Sequence, residues 1–374
     1  MAAASYNEPM GVAALDYVRA LAPYQAGKPI EELAREYGLD PASIVKLASN
    51  ENPLGMPPSA RQAIAQATEL ARYPDANGFE LKAALAARYR VPMQWITLGN
   101  GSNDILELAA AVTLAPGTSA VYAQYAFAVY ALATQARGAR AIVVPARDYG
   151  HDLDAMAAAV APDTRIVFIA NPNNPTGTFV AHDRIAAFLA RVPRHVLVVL
   201  DEAYNEYLPP QLRFDSTQWV HEYPNLLVVR TFSKAFGLAG LRVGFGIAQA
   251  PITDLLNRVR QPFNVNTLAQ VAALAALADD DFVARSYALN QRGLAELCAG
   301  FEQLRLPYVP SHGNFVMVRV GPAERVYEEL LKRGVIVRPI ASYGLPQWLR
   351  VSVGLPQENA RFLDALQQAL AAVS

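Results

Sequence analysis

The sequence predicts an α/β fold, with a mostly parallel central sheet covered by helices, joined to a smaller α+β domain. From about Ser119 to Gly246, short β-branched runs alternate with helical patterns. Several of these runs are apolar throughout and end in polar residues, as expected of strands covered on both faces. Beyond Pro251 the texture changes to alanine- and leucine-rich helices followed by short strand-like runs.

Taken in order, the expected strands of the first part are SAVYAQ, ARAIVVPA, RIVFIANP, HVLVVLDEAY, LLVVRTFS and VGFGIA. Ligands of open α/β sheets bind at the carboxyl ends of such strands. The second part reads as FVMVRV, VIVRPI and LRVSVG, then a closing helix through Phe362, Leu366 and Leu370. A length of 374 residues, at about 150 per domain, suits two or three domains. No linker or low-complexity tract separates the parts, so they are expected to pack together.

Composition narrows the function. A net charge of -1, with basic and acidic residues interleaved, gives no footprint for nucleic acid or an anionic membrane. No stretch approaches the roughly 20 uninterrupted apolar residues of a membrane span. The start, MAAASYNEPM, lacks a basic region followed by an apolar run, so a cytoplasmic location is expected. The single cysteine, Cys298, is read as a core residue, and the scattered histidines show no metal-ligand spacing.

The chemistry concentrates at a few positions. Lys234, in RTFSKAFGLAGLRVGF, directly follows a strand, where a lysine would face a cleft; burial or nearby Arg242 would lower its pKa enough for its amine to attack a carbonyl. Asp201 ends an apolar strand and can hold a heteroaromatic nitrogen protonated. Tyr204 and Asn174 can bond a ring hydroxyl. GNGSNDILEL places Ser102 and Asn103 before an apolar-periodic helix, whose amides and dipole can receive a phosphate, with Ser233 and Arg242 as further donors. Phe127 can stack on a planar ring. Each residue alone has an ordinary explanation: a snorkelling surface lysine, a helix cap, a tight turn, a core aromatic.

Together and in this order, these segments resemble the fold-type-I aminotransferases that use pyridoxal 5′-phosphate (PLP), and most closely the histidinol-phosphate aminotransferase family. The resemblance spans nearly the whole chain and rests on LAPYQ at Tyr24, NENP at Asn50 to Pro53, RYPD at Arg72 to Asp75, NPNNPTG, DEAY, RTFSKAFGLAGLR, VIVR and LRVSVG. It implies Lys234 as cofactor-bearing lysine and proton shuttle, Asp201 on the pyridine nitrogen, Asn174 with Tyr204 on the ring hydroxyl, and Phe127 stacked on the ring. Ser102, Asn103, Thr231, Ser233 and Arg242 would surround the cofactor phosphate, and Tyr73 would reach it from the partner subunit of a homodimer. Tyr24, Asn52, Arg338 and Arg350 would contact the substrate, the arginines gripping its anionic end. The implied division is a large PLP-binding domain over 50–265 and a small one over 1–49 and 266–374. Many relatives carry tyrosine where this chain has Phe127 in YAFAVY, so ring stacking is kept and a hydroxyl is lost.

The activity this implies is transfer of an amino group from an amino donor to a 2-oxo acid: histidinol phosphate and 2-oxoglutarate exchanging with imidazole-acetol phosphate and glutamate, in histidine biosynthesis. The alternative is an aromatic aminotransferase acting on phenylalanine or tyrosine, because anion-gripping arginines in an aromatic-lined pocket suit both. Threonine-phosphate decarboxylase is a more distant rival. A non-catalytic PLP-binding effector module is the rival from another class. No basic helix-turn-helix arm precedes the fold, and the joint presence of Lys234, Asp201 and Arg350 favours catalysis.

Overall fold

The computed structural model describes residues 13–23 and 27–373. Its strands in chain order are β1 (Val45–Lys46), β2 (Ile96–Gly99), β3 (Ser119–Ala123), β4 (Arg140–Val144), β5 (Thr164–Ala170), β6 (Leu197–Asp201), β7 (Leu226–Thr231), β8 (Gly244–Ile247), β9 (Tyr308–Val309), β10 (Phe315–Arg319), β11 (Val335–Ile336), β12 (Arg338–Pro339) and β13 (Trp348–Ser352). The large sheet has seven strands in the order β2-β8-β7-β6-β5-β3-β4. Neighbours from β7 to β4 run parallel, and β8 runs antiparallel to both β7 and β2.

Two apolar cores explain why the strands read as continuous hydrophobic runs. Along β6, Val198 and Leu200 face one core, while Leu197 and Val199 face the other. Each fully buried aliphatic side chain contributes roughly 1.5–3 kcal/mol. A slip of one residue would exchange the faces and carry Asp201 away from its neighbours, so packing fixes the register that aims the acid. The helices Ser102–Thr113 and Ala128–Ala136 cover one face; Phe79–Tyr89 and His182–Arg191 help to cover the other.

The second sheet is antiparallel, in the order β12-β13-β10-β9. Its core takes Leu297 and Phe301 from the helix Asp280–Gln303 and Phe362 and Leu366 from the closing helix Pro356–Val373. Val45 and Leu47 pack in the same core, and β1 pairs in parallel with β11. The helix Thr267–Leu277, which the sequence reading gave to the small domain, packs Ala269, Ala272, Ala273 and Ala276 into the large core instead. Its alanines permit close approach to the helix Pro58–Gln66, so a division drawn by packing falls after Leu277 rather than at 265.

Candidate active site

The carboxyl ends of β5, β6 and β7 open onto a cleft of about 380 Å3, faced from the second sheet by Arg338 and Arg350. Its floor is Asp201, the last residue of β6 and 5% exposed. Burial pushes this carboxyl up to about 6, opposed by hydrogen bonds to its charged form: Tyr130 Oη donates to Oδ2 at 2.9 Å and the Ala203 amide to Oδ1 at 3.3 Å. Above it Lys234, half-buried, donates from Nζ to the Ser49 carbonyl at 3.3 Å and lies 5.8 Å from the centre of the Tyr204 ring. Burial, then the nearby Arg350 charge, pulls its pKa down to about 8. The amine therefore has a far larger neutral fraction in ordinary buffer than a free lysine, as imine chemistry requires.

One end of the cleft is built for an anion. The helix Ser102–Thr113 begins there after Gly101, without a side-chain cap, and Ser102 and Asn103 line the cleft. Uncapped amides and the helix dipole favour negative charge. Arg242, in the left-handed conformation at φ 60, lays its guanidinium against Gly101: a Cβ on that glycine would stand 2.4 Å from Nη2. Arg242 Nη1 donates to the Ala239 carbonyl at 3.0 Å and to Ser233 Oγ at 3.4 Å. Thr231 Oγ1 accepts from the Ser233 amide at 3.1 Å, which holds the turn after β7 against the strand.

The other end carries the paired arginines. Arg338 and Arg350 are directly opposite in the β12–β13 register, so both side chains emerge on one face. Arg350, only 8% exposed, donates from Nη1 to Asn174 Oδ1 at 2.6 Å and from Nη2 to the Ala48 carbonyl at 2.7 Å, and stands over the Phe315 ring. Phe127 lines the cleft with its ring perpendicular to Tyr130. Tyr204 is buried, accepts from Asn50 Nδ2 at 3.0 Å, and has its phenol pushed up to about 12 by burial.

The structure thus brings Ser102, Asn103, Phe127, Asn174, Asp201, Tyr204, Thr231, Ser233, Lys234, Arg242, Arg338 and Arg350 to one cleft. Asn52 requires a correction. Its side chain is held beneath the cleft, donating from Nδ2 to the Ala235 carbonyl at 2.9 Å and to Ser286 Oγ at 2.8 Å and accepting from the Leu54 amide. It braces the Lys234 turn and does not line the cleft; Asn50, two residues earlier, does. Tyr73 is 81% exposed and stacks on Phe263 beside a separate surface depression. Tyr24 lies outside the described residues. Tyr130 and Asn50 were missed by sequence reasoning. The only available signal for Tyr130 was its place three residues after Phe127, on a helix whose apolar face shares a core with β6. Among the described residues no group of histidine, cysteine or acidic side chains is arranged to hold a metal, and no helix is long and apolar enough to cross a membrane.

Comparison with known proteins places this geometry. The family model described as "Aminotransferase class I and II" matches residues 42–366. The chain belongs to the class I and II aminotransferases. Within these aminotransferases its relatives include histidinol-phosphate aminotransferase 2 of Ralstonia nicotianae, 67% identical over 95% of this chain and 96% of the relative. Histidinol-phosphate aminotransferase 1 of Cupriavidus pinatubonensis is 66% identical, covering 95% of this chain and 96% of its own. The similarity identifies the chain as a member of the histidinol-phosphate aminotransferase family. The crystal structure of histidinol-phosphate aminotransferase from Sinorhizobium meliloti in complex with pyridoxal-5′-phosphate superposes with TM-score 0.88 at 27% identity, over 96% of this chain and 98% of that one. Thermus thermophilus aspartate aminotransferase with maleate, 22% identical with TM-score 0.82 over 96% of this chain and 100% of that one, shares the fold.

Proposed function

We propose that this aminotransferase exchanges an amino group between histidinol phosphate and 2-oxoglutarate, with PLP held at Lys234. One observation carries the reading: a single lysine, its pKa lowered by burial, stands between two separate anion-holding ends and above a buried acid. The donor set fits PLP. The helix amino end, Ser233 and Arg242 suit its phosphate, Asp201 its ring nitrogen, Tyr204 and Asn174 its ring oxygen, and Phe127 its flat face. Arg338 and Arg350 then remain for the substrate's phosphate or carboxylate, where a guanidinium fork serves both. The 67% identity to a histidinol-phosphate aminotransferase supports that substrate for the first half of the cycle.

Bound there, PLP supplies an electron sink for charge developing on the substrate carbon. The protein's own residues do the rest. Lys234 Nζ would remove the proton from the amine-bearing carbon and deliver it to the cofactor side of the shifted double bond, acting first as general base and then as general acid. Asp201, ionised above about pH 6, would keep a proton on the cofactor's ring nitrogen. Arg338 and Arg350 orient the substrate so that its reacting carbon meets Nζ. The exposed Tyr73, with Leu70 and Phe263 nearby on the surface, supports a homodimer in which Tyr73 completes the partner's cleft. A cytoplasmic location belongs to the same reading.

The test is half-transamination of the PLP-loaded protein with histidinol phosphate against phenylalanine and tyrosine. A hundredfold preference for histidinol phosphate, about 2.7 kcal/mol in transition-state binding, is expected. Comparable or reversed efficiencies would make the chain an aromatic aminotransferase.

A further inference from the structure

Residues 48–52 run between the two sheets, and three successive residues are fastened to different walls of the cleft. The Ala48 carbonyl accepts from Arg350, the Ser49 carbonyl from Lys234, and Asn50 reaches Tyr204. Asn50 is 1% exposed and holds φ at 54, a left-handed conformation that asparagine tolerates better than most residues. Its amide N–H donates to Ser352 Oγ at 2.8 Å, and the Ser352 hydroxyl donates back to Oδ1 at 2.8 Å. Its carbonyl accepts from Asn314 Nδ2 at 3.0 Å, and its own Nδ2 donates to Tyr204 Oη at 3.0 Å.

This arrangement fixes the direction of every bond. Among the described residues Ser352 Oγ, which accepts from the Asn50 backbone N–H, meets no acceptor for its single proton other than the Asn50 side-chain oxygen; that oxygen therefore takes the proton and is not the atom facing Tyr204. The atom facing Tyr204 is the NH2 group, which donates and cannot accept. The phenol's own proton is therefore left for a partner in the cleft that Tyr204 lines.

On the function proposed above, we infer that Asn50 is a positioning residue: it commits the Tyr204 proton to the ring oxygen of the cofactor and, through Ser352, ties that phenol to the strand carrying Arg350. Ser352 and Arg350 are two residues apart on β13, so the substrate-facing strand and the cofactor-facing phenol share one hydrogen-bonded junction. Arg350, Asp201 and Tyr343 also act on the phenol, and Lys234 Nζ lies 5.8 Å from the centre of its ring.

The readout is the pH midpoint of the visible absorption of the PLP-loaded protein. A donor to the ring oxygen stabilises its deprotonated form, so losing the donor moves the midpoint upward. Tyr204→Phe is expected to raise it by about one unit, in keeping with one hydrogen bond to a charged group. Asn50→Asp tolerates the same backbone but turns an acceptor toward Tyr204, and should raise the midpoint too. Ser352→Ala, a small buried change outside the cleft, frees the Asn50 amide to turn over and should raise it less. In the Tyr204→Phe background the Ser352→Ala shift should vanish and the Asn50→Asp shift should shrink. Shifts of equal size with and without the Tyr204 hydroxyl would overturn this inference and leave PLP at Lys234 standing. No shift in Tyr204→Phe itself would remove both the Tyr204 role and the inference. If Asn50→Asp does not fold, Ser352→Ala alone decides by the same comparison.

Discussion

Tyr130 Oη donates to Asp201 Oδ2 at 2.9 Å with both residues inside the protein. Burial alone would favour the neutral carboxyl, and this bond opposes it. Tyr130→Phe should therefore push Asp201 further up. The acid limb of kcat/KM should move to higher pH by about one unit, since a hydrogen bond to a charged group contributes roughly 1.5–3 kcal/mol and one unit is 1.36 kcal/mol. A pH–rate profile with an unmoved acid limb would show that Tyr130 does not act through Asp201.

The Lys234 amine provides a second pH test, in capture of PLP by the cofactor-free protein. Only the neutral amine attacks, and a pKa of about 8 makes that form dominant above this value. Capture should rise about tenfold per pH unit below 8 and level off above it. A stopped-flow rate still climbing toward the ordinary lysine value of about 10.4 would contradict the buried, Arg350-facing setting.

How much of this was legible in the sequence depended on periodicity. Runs such as HVLVVLD and RIVFIANP declared themselves because both faces of their strands are buried, and FVMVRV and LRVSVG foretold the second sheet. The short ITLG strand, β2, carried too few residues to stand out. The helix Thr267–Leu277 misled because alanine-rich texture does not say which core it packs against. At the site, motif residues at strand ends were visible, whereas of two asparagines two apart in one motif the expected contact was assigned to Asn52 and it is Asn50 that lines the cleft. A left-handed turn at Asn50 decides which of them faces the cleft, and nothing in the residue types announces it. Tyr130 was hidden on an apolar helix face, where an aromatic looks like core.

Asp201 should also show the cost of holding a buried acid. Its folded pKa is raised from 3.8 to about 6, so the folded protein binds the proton more tightly than the unfolded chain. Stability from this group is therefore present below about pH 4 and is lost as pH rises through 6. In the cofactor-free protein Asp201→Asn should gain on the order of 2 kcal/mol at pH 7, with little gain near pH 4, while transamination falls steeply. Chemical denaturation at both pH values checks this; a gain of equal size at each would remove ionisation as its cause.

Gly101 separates cofactor binding from chemistry. It holds φ at 81, and an added Cβ would meet Arg242 Nη2 at 2.4 Å, so Gly101→Ala should displace the guanidinium from the helix amino end. PLP affinity should weaken by tenfold or more, on the scale of one charge-assisted contact. Titration of the cofactor-free variant with PLP measures it, and native affinity would mean that Arg242 does not serve the phosphate.

The central claim is that Lys234 bears the cofactor, and borohydride reduction of the PLP-loaded protein followed by peptide mapping tests it most directly. Reduction fixes a lysine–cofactor bond as a stable secondary amine. The added mass is expected on the peptide containing Ser233 and Lys234, and should be missing from Lys234→Ala. The mass on another lysine, or on none while transamination proceeds at native rate, would contradict the assignment.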